Sequence, residues 1–295
     1  MKPNLFIVGA PKCGTTAWAE YLGSHPDIFF SEIKEPHHFA TDRDSELRIA
    51  DRADYLRLFA RRGAAKVLGE ASVTYLLSEV AARNIHAFNP DAKILIFLRN
   101  QEDYLPSRHN QLVFNGVESI TDFEQAWRLS GRRDATNAPA FFKHPELLDY
   151  RAAGAFGPQV ERYYALFPED QIRVFHFDNW TEQSRQTYLE ILRFLGIPDD
   201  GRTDFPPVHQ ARHHATKFVV KFVRQPPRIV RLVVALIKKL TRRSGLGLAN
   251  WLIELDSRPG TLSQISDELR REIRDFYEKD NEKLQRRIWS APPDA

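Results

Sequence analysis

The fold is decided by one stretch of sequence, Gly9-Ala10-Pro11-Lys12-Cys13-Gly14-Thr15-Thr16. An apolar run precedes it at residues 5–8, and an apolar, helix-compatible run follows it at residues 17–22. This order predicts a strand, a tight loop and a helix. Such a junction directs backbone N–H groups and the positive end of a helix towards one point, where they bind a phosphate. The stretch therefore predicts an anion-binding loop.

The spacing of the two glycines is close to that of a Walker A loop, G-x-x-x-x-G-K-[ST]. The residue after the second glycine is Thr15, however, and the lysine lies earlier, at Lys12. Lys12 is therefore placed to reach a group attached to a single 5′-phosphate rather than β- and γ-phosphates. The alternative is a structural turn in which Thr15 and Thr16 only cap the helix.

Composition indicates a soluble globular protein, because 42% of the 295 residues are hydrophobic and 27% are charged. The single cysteine, Cys13, excludes an internal disulfide and a cysteine-rich zinc site. The sequence shows neither a signal peptide nor a run of about 18 apolar residues that could span a membrane. We therefore expect a cytosolic protein.

Positive charge is concentrated between residues 205 and 253, which hold ten lysines and arginines and no acidic residue. The net charge is +3, so the remainder of the chain has a net charge of −7. A basic segment of this kind favours an anionic partner. Its alternatives are a solvated helix surface, peripheral contact with a membrane surface, or a cover over part of a cofactor. No nucleic-acid partner is expected.

Strand and helix patterns alternate along the first two thirds of the chain. Strands are predicted at residues 5–8, 66–68, 93–98 and 172–177, and helices at 15–25, 78–88, 104–113, 157–167 and 184–195. This alternation predicts an α/β fold with a mostly parallel central sheet flanked by helices in three layers. We expect one domain over residues 1–295, with a core over about 1–205 and a basic helical extension over about 206–295. The extension includes an amphipathic helix at 263–284, with apolar residues at helical spacing at Leu269, Ile273, Phe276 and Leu284.

A second candidate phosphate contact follows the most apolar strand. Arg99 comes directly after that strand, and Ser107 is expected eight residues later at the start of a helix. An arginine at a strand end and a hydroxyl at a helix start can hold a phosphate together. The alternative is a surface arginine and a serine that only caps the helix.

A candidate general base lies in Lys34-Glu35-Pro36-His37-His38-Phe39, shortly after the first helix. Glu35 could accept a proton from a nucleophile, and His37 is its rival because imidazole titrates nearer neutral pH. We call residues 34–39 the acceptor-side loop, where the acceptor is the molecule that would receive a transferred group. Either residue could also make only ordinary loop hydrogen bonds.

Three further polar residues, Glu70, Ser72 and Tyr75, either line the acceptor side or belong to a structural loop that packs Tyr75 into the core. No metal site is expected. The adjacent histidines at 37–38 and 213–214 lack the spacing of metal ligands. Asp178, after an apolar strand, is the only candidate for the Mg²⁺-binding aspartate that a kinase needs.

Taken together, these motifs resemble the sulfotransferases that use PAPS (3′-phosphoadenosine 5′-phosphosulfate), in particular the carbohydrate type that includes heparan sulfate enzymes and bacterial homologues. The order of motifs matches over most of the chain. The loop at 9–16 corresponds to the 5′-phosphosulfate loop, Arg99 and Ser107 to the 3′-phosphate element, and Trp289 to a position near the end. The segments at 34–37, 69–75, 150–156 and 194–196 also match.

The resemblance implies a P-loop-like fold and transfer of a sulfuryl group from PAPS to an acceptor hydroxyl or amine of a carbohydrate or small metabolite, without a metal. It implies that Lys12 stabilises the leaving phosphate and that Glu35 is the base. It assigns donor binding to Pro11, Lys12, Cys13, Gly14, Thr15, Thr16, Arg99 and Ser107.

The chain departs from the family pattern at two places. The middle proline and arginine of the 3′-phosphate element are absent, and Ala71 stands where heparan-type enzymes have a lysine. A heparan acceptor therefore cannot be transferred to this chain. Two other function classes remain open, namely a P-loop nucleotide kinase or NTPase and a polyanion- or membrane-binding module.

Overall fold

The computed structural model describes residues 2–43, 47–132, 145–206, 212–214, 257–259 and 265–289. Most of the basic segment, and with it most of the predicted helical extension, lies outside these residues. Predictions about its role therefore stay predictions. The three residues at 212–214 form a short antiparallel pair with 257–259.

A five-stranded, all-parallel sheet forms the centre of the described fold. Its order is β2-β3-β1-β4-β5. The strands are β1 (Leu5–Gly9), β2 (Ile28–Phe30), β3 (Val67–Ala71), β4 (Lys93–Leu98) and β5 (Ile172–His176). Every residue of β1 and β3 is buried, as expected of parallel strands that are covered on both faces.

Helices connect and flank these strands. They are α1 (Thr15–Gly23), α2 (Arg52–Arg57), α3 (Thr74–Leu77), α4 (Ala81–Phe88), α5 (Gln101–Phe114), α6 (Phe123–Arg128), α7 (Tyr150–Gly154), α8 (Phe156–Tyr164), α9 (Phe177–Glu182), α10 (Ser184–Leu195) and α11 (Asp267–Trp289). Two short 3₁₀ helices cover Pro145–Leu148 and Glu169–Gln171. The predicted α/β class with a parallel sheet flanked by helices is confirmed.

The sequence predictions differ from the structure mainly for short elements. Strand β2 and helices α2, α3, α6, α7 and α9 were not predicted, because three to six residues carry too little periodicity to detect. Helix α5 begins at Gln101 rather than at residue 104. Pro106 lies inside it, where the missing N–H removes one intrahelical bond.

Helix α11 packs through its buried face, which consists of Leu269, Ile273, Tyr277 and Leu284. Phe276, expected on this face, is 50% exposed instead. The reason is the spacing of four residues, which places Tyr277 and not Phe276 in line with Ile273. The Tyr277 hydroxyl donates to the carbonyl oxygens of Tyr150 and Arg151 at 3.1 and 2.9 Å.

The chain divides into two compact units. The first comprises residues 1–105, 150–209 and 267–295 and contains the whole five-stranded sheet together with α11. The second comprises residues 106–149 and 210–266 and contains α6 and the antiparallel pair. The expected organisation as one domain stays a prediction.

None of the helices in the described part of the chain is both long and apolar enough to cross a membrane.

Candidate functional site

The loop after β1 is built around two glycines in conformations that other residues rarely adopt. Gly9 has φ 146° and Gly14 has φ 84°. A Cβ atom on Gly14 would lie 2.1 Å from Cζ2 of Trp180, and one on Gly9 would lie 2.8 Å from the Leu76 Cβ. Both positions therefore require glycine for space as well as for backbone conformation.

Helix α1 begins directly after this loop, with Gly14 as its N-cap residue. No side chain caps the helix, and no acidic residue lies in its first turn. The interpretation of Thr15 and Thr16 as capping residues is therefore wrong, since both lie inside the first turn. The N-terminal N–H groups and the helix dipole make this end favourable for an anion.

Lys12 lies in the loop with a φ of 64°, and its side chain is half-buried. Burial lowers the pKa of the Lys12 ammonium, and repulsion from the Arg99 guanidinium lowers it further. The neighbouring Cys13 is fully buried, and burial raises the pKa of its thiol. The loop thus holds a strained cation next to a second cation and beside an inert thiol.

Arg99 follows β4, whose carboxyl end lies beside that of β1 in the sheet. Its guanidinium carbon lies 4.6 Å from the centre of the Phe177 ring. The buried Arg99 Nε atom has no hydrogen-bond partner among the described residues. A buried donor without a partner normally receives an acceptor from water or a ligand.

Two aromatic residues of this region, Phe177 and Trp180, were not singled out in the sequence. Phe177 contacts Arg99 and Trp180 contacts Gly14, and both lie in α9 directly after β5. Trp180 Nε1 is also buried without a hydrogen-bond partner within the described ranges. The signal that could have found them is their position at the carboxyl end of a predicted parallel strand.

Ser107 lies in the interior of α5 and is buried, so the expectation that it starts or caps a helix is wrong. The error follows from the early start of α5 at Gln101. Arg99 belongs to the first unit and Ser107 to the second. Their joint role at a phosphate stays a prediction.

Strained backbone coincides with the candidate catalytic residues. Within the described residues, the non-glycine residues with positive φ are Lys12, Glu35 and His37, with φ values of 64°, 58° and 52°. Each such conformation costs on the order of 1–3 kcal/mol and persists only where surrounding contacts hold it. The sequence-based candidates thus share a property that the sequence does not display.

In the acceptor-side loop, Glu35 lies between two basic side chains. Its Oε1 atom lies 2.5 Å from the Lys34 Nζ atom, and its Oε2 atom lies 3.6 Å from His37 Nε2. The Glu35 side chain is 30% exposed, whereas that of His37 is 8% exposed. An incoming acceptor can therefore reach the carboxylate more readily than the imidazole.

His37 is enclosed by neighbours. Its Nδ1 atom lies 2.8 Å from the Thr74 hydroxyl, and its backbone N–H donates to the Ser72 Oγ atom at 3.1 Å. Burial lowers the pKa of the His37 imidazole, although the Glu35 charge opposes this shift. The ring is therefore neutral at pH 7 and is a weaker base than an exposed histidine.

Behind this loop, Glu70, Ser72 and Tyr75 are all fully buried, so they do not line an open acceptor surface. The Glu70 carboxylate accepts hydrogen bonds from Tyr55 and Ser72, both at 2.6 Å. Burial raises the pKa of Glu70 to about 7. The structure therefore agrees with the interpretation of this segment as a structural loop that packs Tyr75 into the core.

No cluster of three or more potential metal ligands exists in the part of the chain that the structure describes. Asp178 lies in α9, where it accepts a hydrogen bond from the Asn100 side chain at 3.0 Å. Of the pair His213–His214, only the backbone is described. The expectation that no metal is required stays a prediction.

Replacing Gly14 with alanine should destabilise the protein more than the same change at Gly201. Both glycines have a similar φ, 84° and 80°, but Gly201 has open space around it. The backbone strain common to both should cost about 1–2 kcal/mol. The Trp180 contact should add about 1–3 kcal/mol at Gly14 only, as in overpacked cores. Urea unfolding of the two variants measures this difference, and equal losses would contradict the close Gly14–Trp180 contact.

Replacing Glu70 with glutamine should change how stability depends on pH. The pKa of Glu70 rises from 4.5 to about 7 on folding, so its contribution is fully present below pH 4.5 and is lost as pH rises through 7. Relative to wild type, Glu70→Gln should gain up to about 3 kcal/mol of unfolding free energy between pH 4.5 and 8. Urea unfolding across this range provides the measurement, with the exposed Glu182→Gln as control. Parallel curves for wild type and Glu70→Gln would contradict a raised pKa.

Comparison with known proteins identifies the family. The sulfotransferase domain family matches residues 2–217. Human carbohydrate sulfotransferase 15 is 30% identical over 255 residues, which cover 66% of this chain and 44% of that protein. Human heparan sulfate glucosamine 3-O-sulfotransferase 6 is 37% identical over 98 residues, which cover 33% of this chain and 27% of that protein. The chain thus spans less than half the length of these curated relatives.

Among solved structures, a sulfotransferase from Alicyclobacillus acidocaldarius is similar with a TM-score of 0.63 and 29% sequence identity. The similarity covers 85% of this chain and 99% of that one. The loop at 9–16 and the strands around it lie within the matched family region. The chain belongs to the sulfotransferase domain family.

Proposed function

We propose that this protein transfers a sulfuryl group from PAPS to a hydroxyl or amine of a carbohydrate or small-metabolite acceptor, releasing adenosine 3′,5′-bisphosphate. Family membership supports the reaction class. Two of its relatives are named a carbohydrate sulfotransferase and a heparan sulfate glucosamine sulfotransferase, which supports an acceptor containing a sugar.

The observation that carries this proposal is the proximity of two cations at an anion-favouring helix end. Burial lowers the pKa of Lys12, and repulsion from the nearby Arg99 guanidinium lowers it further. An anion that binds beside two half-buried cations favours their charged forms and offsets their mutual repulsion. The first turn of α1 contains no acidic residue that would repel a bound anion.

The surrounding residues fit a phosphosulfate group. The close approach of Trp180 to Gly14 leaves no room for a side chain at that position. Arg99 Nε and Trp180 Nε1 are buried donors without partners among the described residues. These features would suit a ligand that carries several acceptor oxygens.

Catalysis in this proposal depends on positioning and charge neutralisation, as in phosphoryl transfer. The donor supplies an activated sulfuryl group. Lys12 and the loop N–H groups neutralise negative charge that develops on the leaving oxygen. Glu35 accepts the proton of the acceptor hydroxyl or amine as the new bond to sulfur forms.

Glu35 is favoured over His37 as the base because its carboxylate is more exposed. His37 instead supports the loop, since its backbone N–H and its Nδ1 atom already have partners. Its neutral ring lies close enough to Glu35 Oε2 to influence the orientation of that carboxylate.

We further propose that Arg99, whose guanidinium lies over the Phe177 ring, binds the 3′-phosphate. The role of Ser107 at this phosphate stays a prediction from the sequence. The sequence also predicts a cytosolic location and peripheral membrane contact through residues 205–253.

A thermal-shift comparison of adenosine 3′,5′-bisphosphate with ATP–Mg²⁺ tests the proposed donor. A ligand present at 100 times its Kd adds about 2.7 kcal/mol of stability. The bisphosphate should stabilise the protein and ATP–Mg²⁺ should not. The reverse result would favour a kinase or NTPase and reject the proposal.

Lys12→Ala should lower turnover by roughly 100-fold or more, which is the typical loss on removing one oxyanion-stabilising donor. Transfer of radiolabelled sulfate from PAPS to a panel of hydroxyl and amine acceptors measures the rate. The exposed Lys279 on α11 offers a matched control, and Lys279→Ala should retain wild-type turnover. Near-normal turnover of Lys12→Ala would remove the central catalytic assignment.

Glu35→Gln should lower turnover by roughly 100-fold or more, because it removes the proton acceptor. It should leave the thermal shift caused by the bisphosphate unchanged, because the donor product does not need the base. His37→Ala should have a smaller effect on turnover. If His37→Ala abolished turnover while Glu35→Gln did not, the base would be His37.

A further inference from the structure

Three backbone N–H groups of the acceptor-side loop donate hydrogen bonds to the last residue of β3 or to the chain that follows it. Glu35 N–H donates to the carbonyl oxygen of Ala71 at 3.1 Å. His37 N–H donates to Ser72 Oγ at 3.1 Å. Phe39 N–H donates to the Tyr75 hydroxyl at 3.2 Å. Residues 35, 37 and 39 of the loop are therefore each hydrogen-bonded to a residue between 71 and 75.

Two of these three acceptors are hydroxyl groups, and one of them, that of Ser72, hydrogen-bonds to Glu70. Ser72 Oγ donates to Glu70 Oε1 at 2.6 Å. On the other side, the Tyr55 hydroxyl donates to Glu70 Oε2 at 2.6 Å. Glu70 itself is fully buried in β3, opposite Phe6 of β1.

This arrangement determines the direction of the Ser72 hydroxyl. A hydroxyl that donates its hydrogen to Glu70 must turn its lone pairs away from the carboxylate. A lone pair of Ser72 Oγ accepts the N–H group of His37. Glu70 therefore influences the loop through the Ser72 hydroxyl.

The loop needs such support because Glu35 and His37 both have positive φ. A strained backbone conformation persists only where surrounding contacts over-determine it. The hydrogen bonds from residues 35, 37 and 39 are contacts of this kind.

We propose that Glu70 is a positioning residue for sulfuryl transfer, which holds His37, and with it the neighbouring Glu35, in a strained conformation through the hydroxyl group of Ser72. This inference rests on the proposed function for its effect on turnover. Its effect on the loop itself does not depend on the identity of the reaction.

The test compares two variants that break the network at different points. Glu70→Met removes the shared acceptor while keeping a side chain of similar length, and Ser72→Ala removes the acceptor of the His37 N–H. Each should lower turnover about tenfold or more and accelerate hydrogen exchange of the amides at 35–39. The bisphosphate-induced thermal shift should stay as in wild type, because the donor loop is untouched.

Two further variants separate positioning from packing. Glu70→Gln keeps an oxygen that can accept from Ser72, so it should restore most of the turnover lost in Glu70→Met. Tyr55→Phe removes a bond to Glu70 but none to the loop, so turnover and exchange should stay within about twofold of wild type. A Glu70→Gln variant as impaired as Glu70→Met would overturn the proposal.

Exchange and turnover give distinguishable outcomes. Unchanged exchange at 35–39 in both Glu70→Met and Ser72→Ala would overturn the positioning role even in an active sulfotransferase. Should wild type transfer no sulfuryl group, the proposed function fails, and exchange alone decides the role of Glu70. Should Glu70→Met not fold, Ser72→Ala provides the same readouts, with faster exchange supporting the role and wild-type exchange rejecting it.

Discussion

Backbone hydrogen bonds on both edges of β1 determine where the rest of the site lies. β1 pairs in parallel with β3 on one side and with β4 on the other. Because parallel strands end at the same edge of a sheet, the loop after β1 lies between the chain that follows β3 and the chain that follows β4. Lys12 therefore has Arg99 on one side, and on the other the segment at 71–75 to which the acceptor-side loop is attached.

This arrangement places features that oppose folding next to one another. Two cations repel each other, three non-glycine residues have positive φ, and a carboxyl group is buried in the sheet. Each of these features costs free energy in the absence of compensation. Their concentration at the carboxyl edge of one sheet is typical of a site where binding and chemistry take precedence over stability.

The two sides of the site are supported in different ways. On the side of the proposed donor, aromatic side chains provide the support, with Trp180 against Gly14 and Phe177 beneath Arg99. On the side of the proposed acceptor, hydrogen bonds from the loop to Ser72 and Tyr75 provide it. Aromatic rings can pack against a site for a charged ligand without forming hydrogen bonds to the groups that bind its oxygens. Hydrogen bonds hold a strained loop in one conformation.

The sequence alone determined the fold class, the strand–loop–helix junction proposed to bind an anion, and the candidates Lys12, Arg99 and Glu35. These depend on local order, namely an apolar strand, a glycine-bounded turn and a helix. Tertiary structure decided what depends on distant contacts. The interior position of Ser107, the positive φ of Glu35 and the burial of Glu70 follow from packing between segments far apart in the chain. No local pattern encodes such contacts, since strain and burial arise only when separate strands and helices meet.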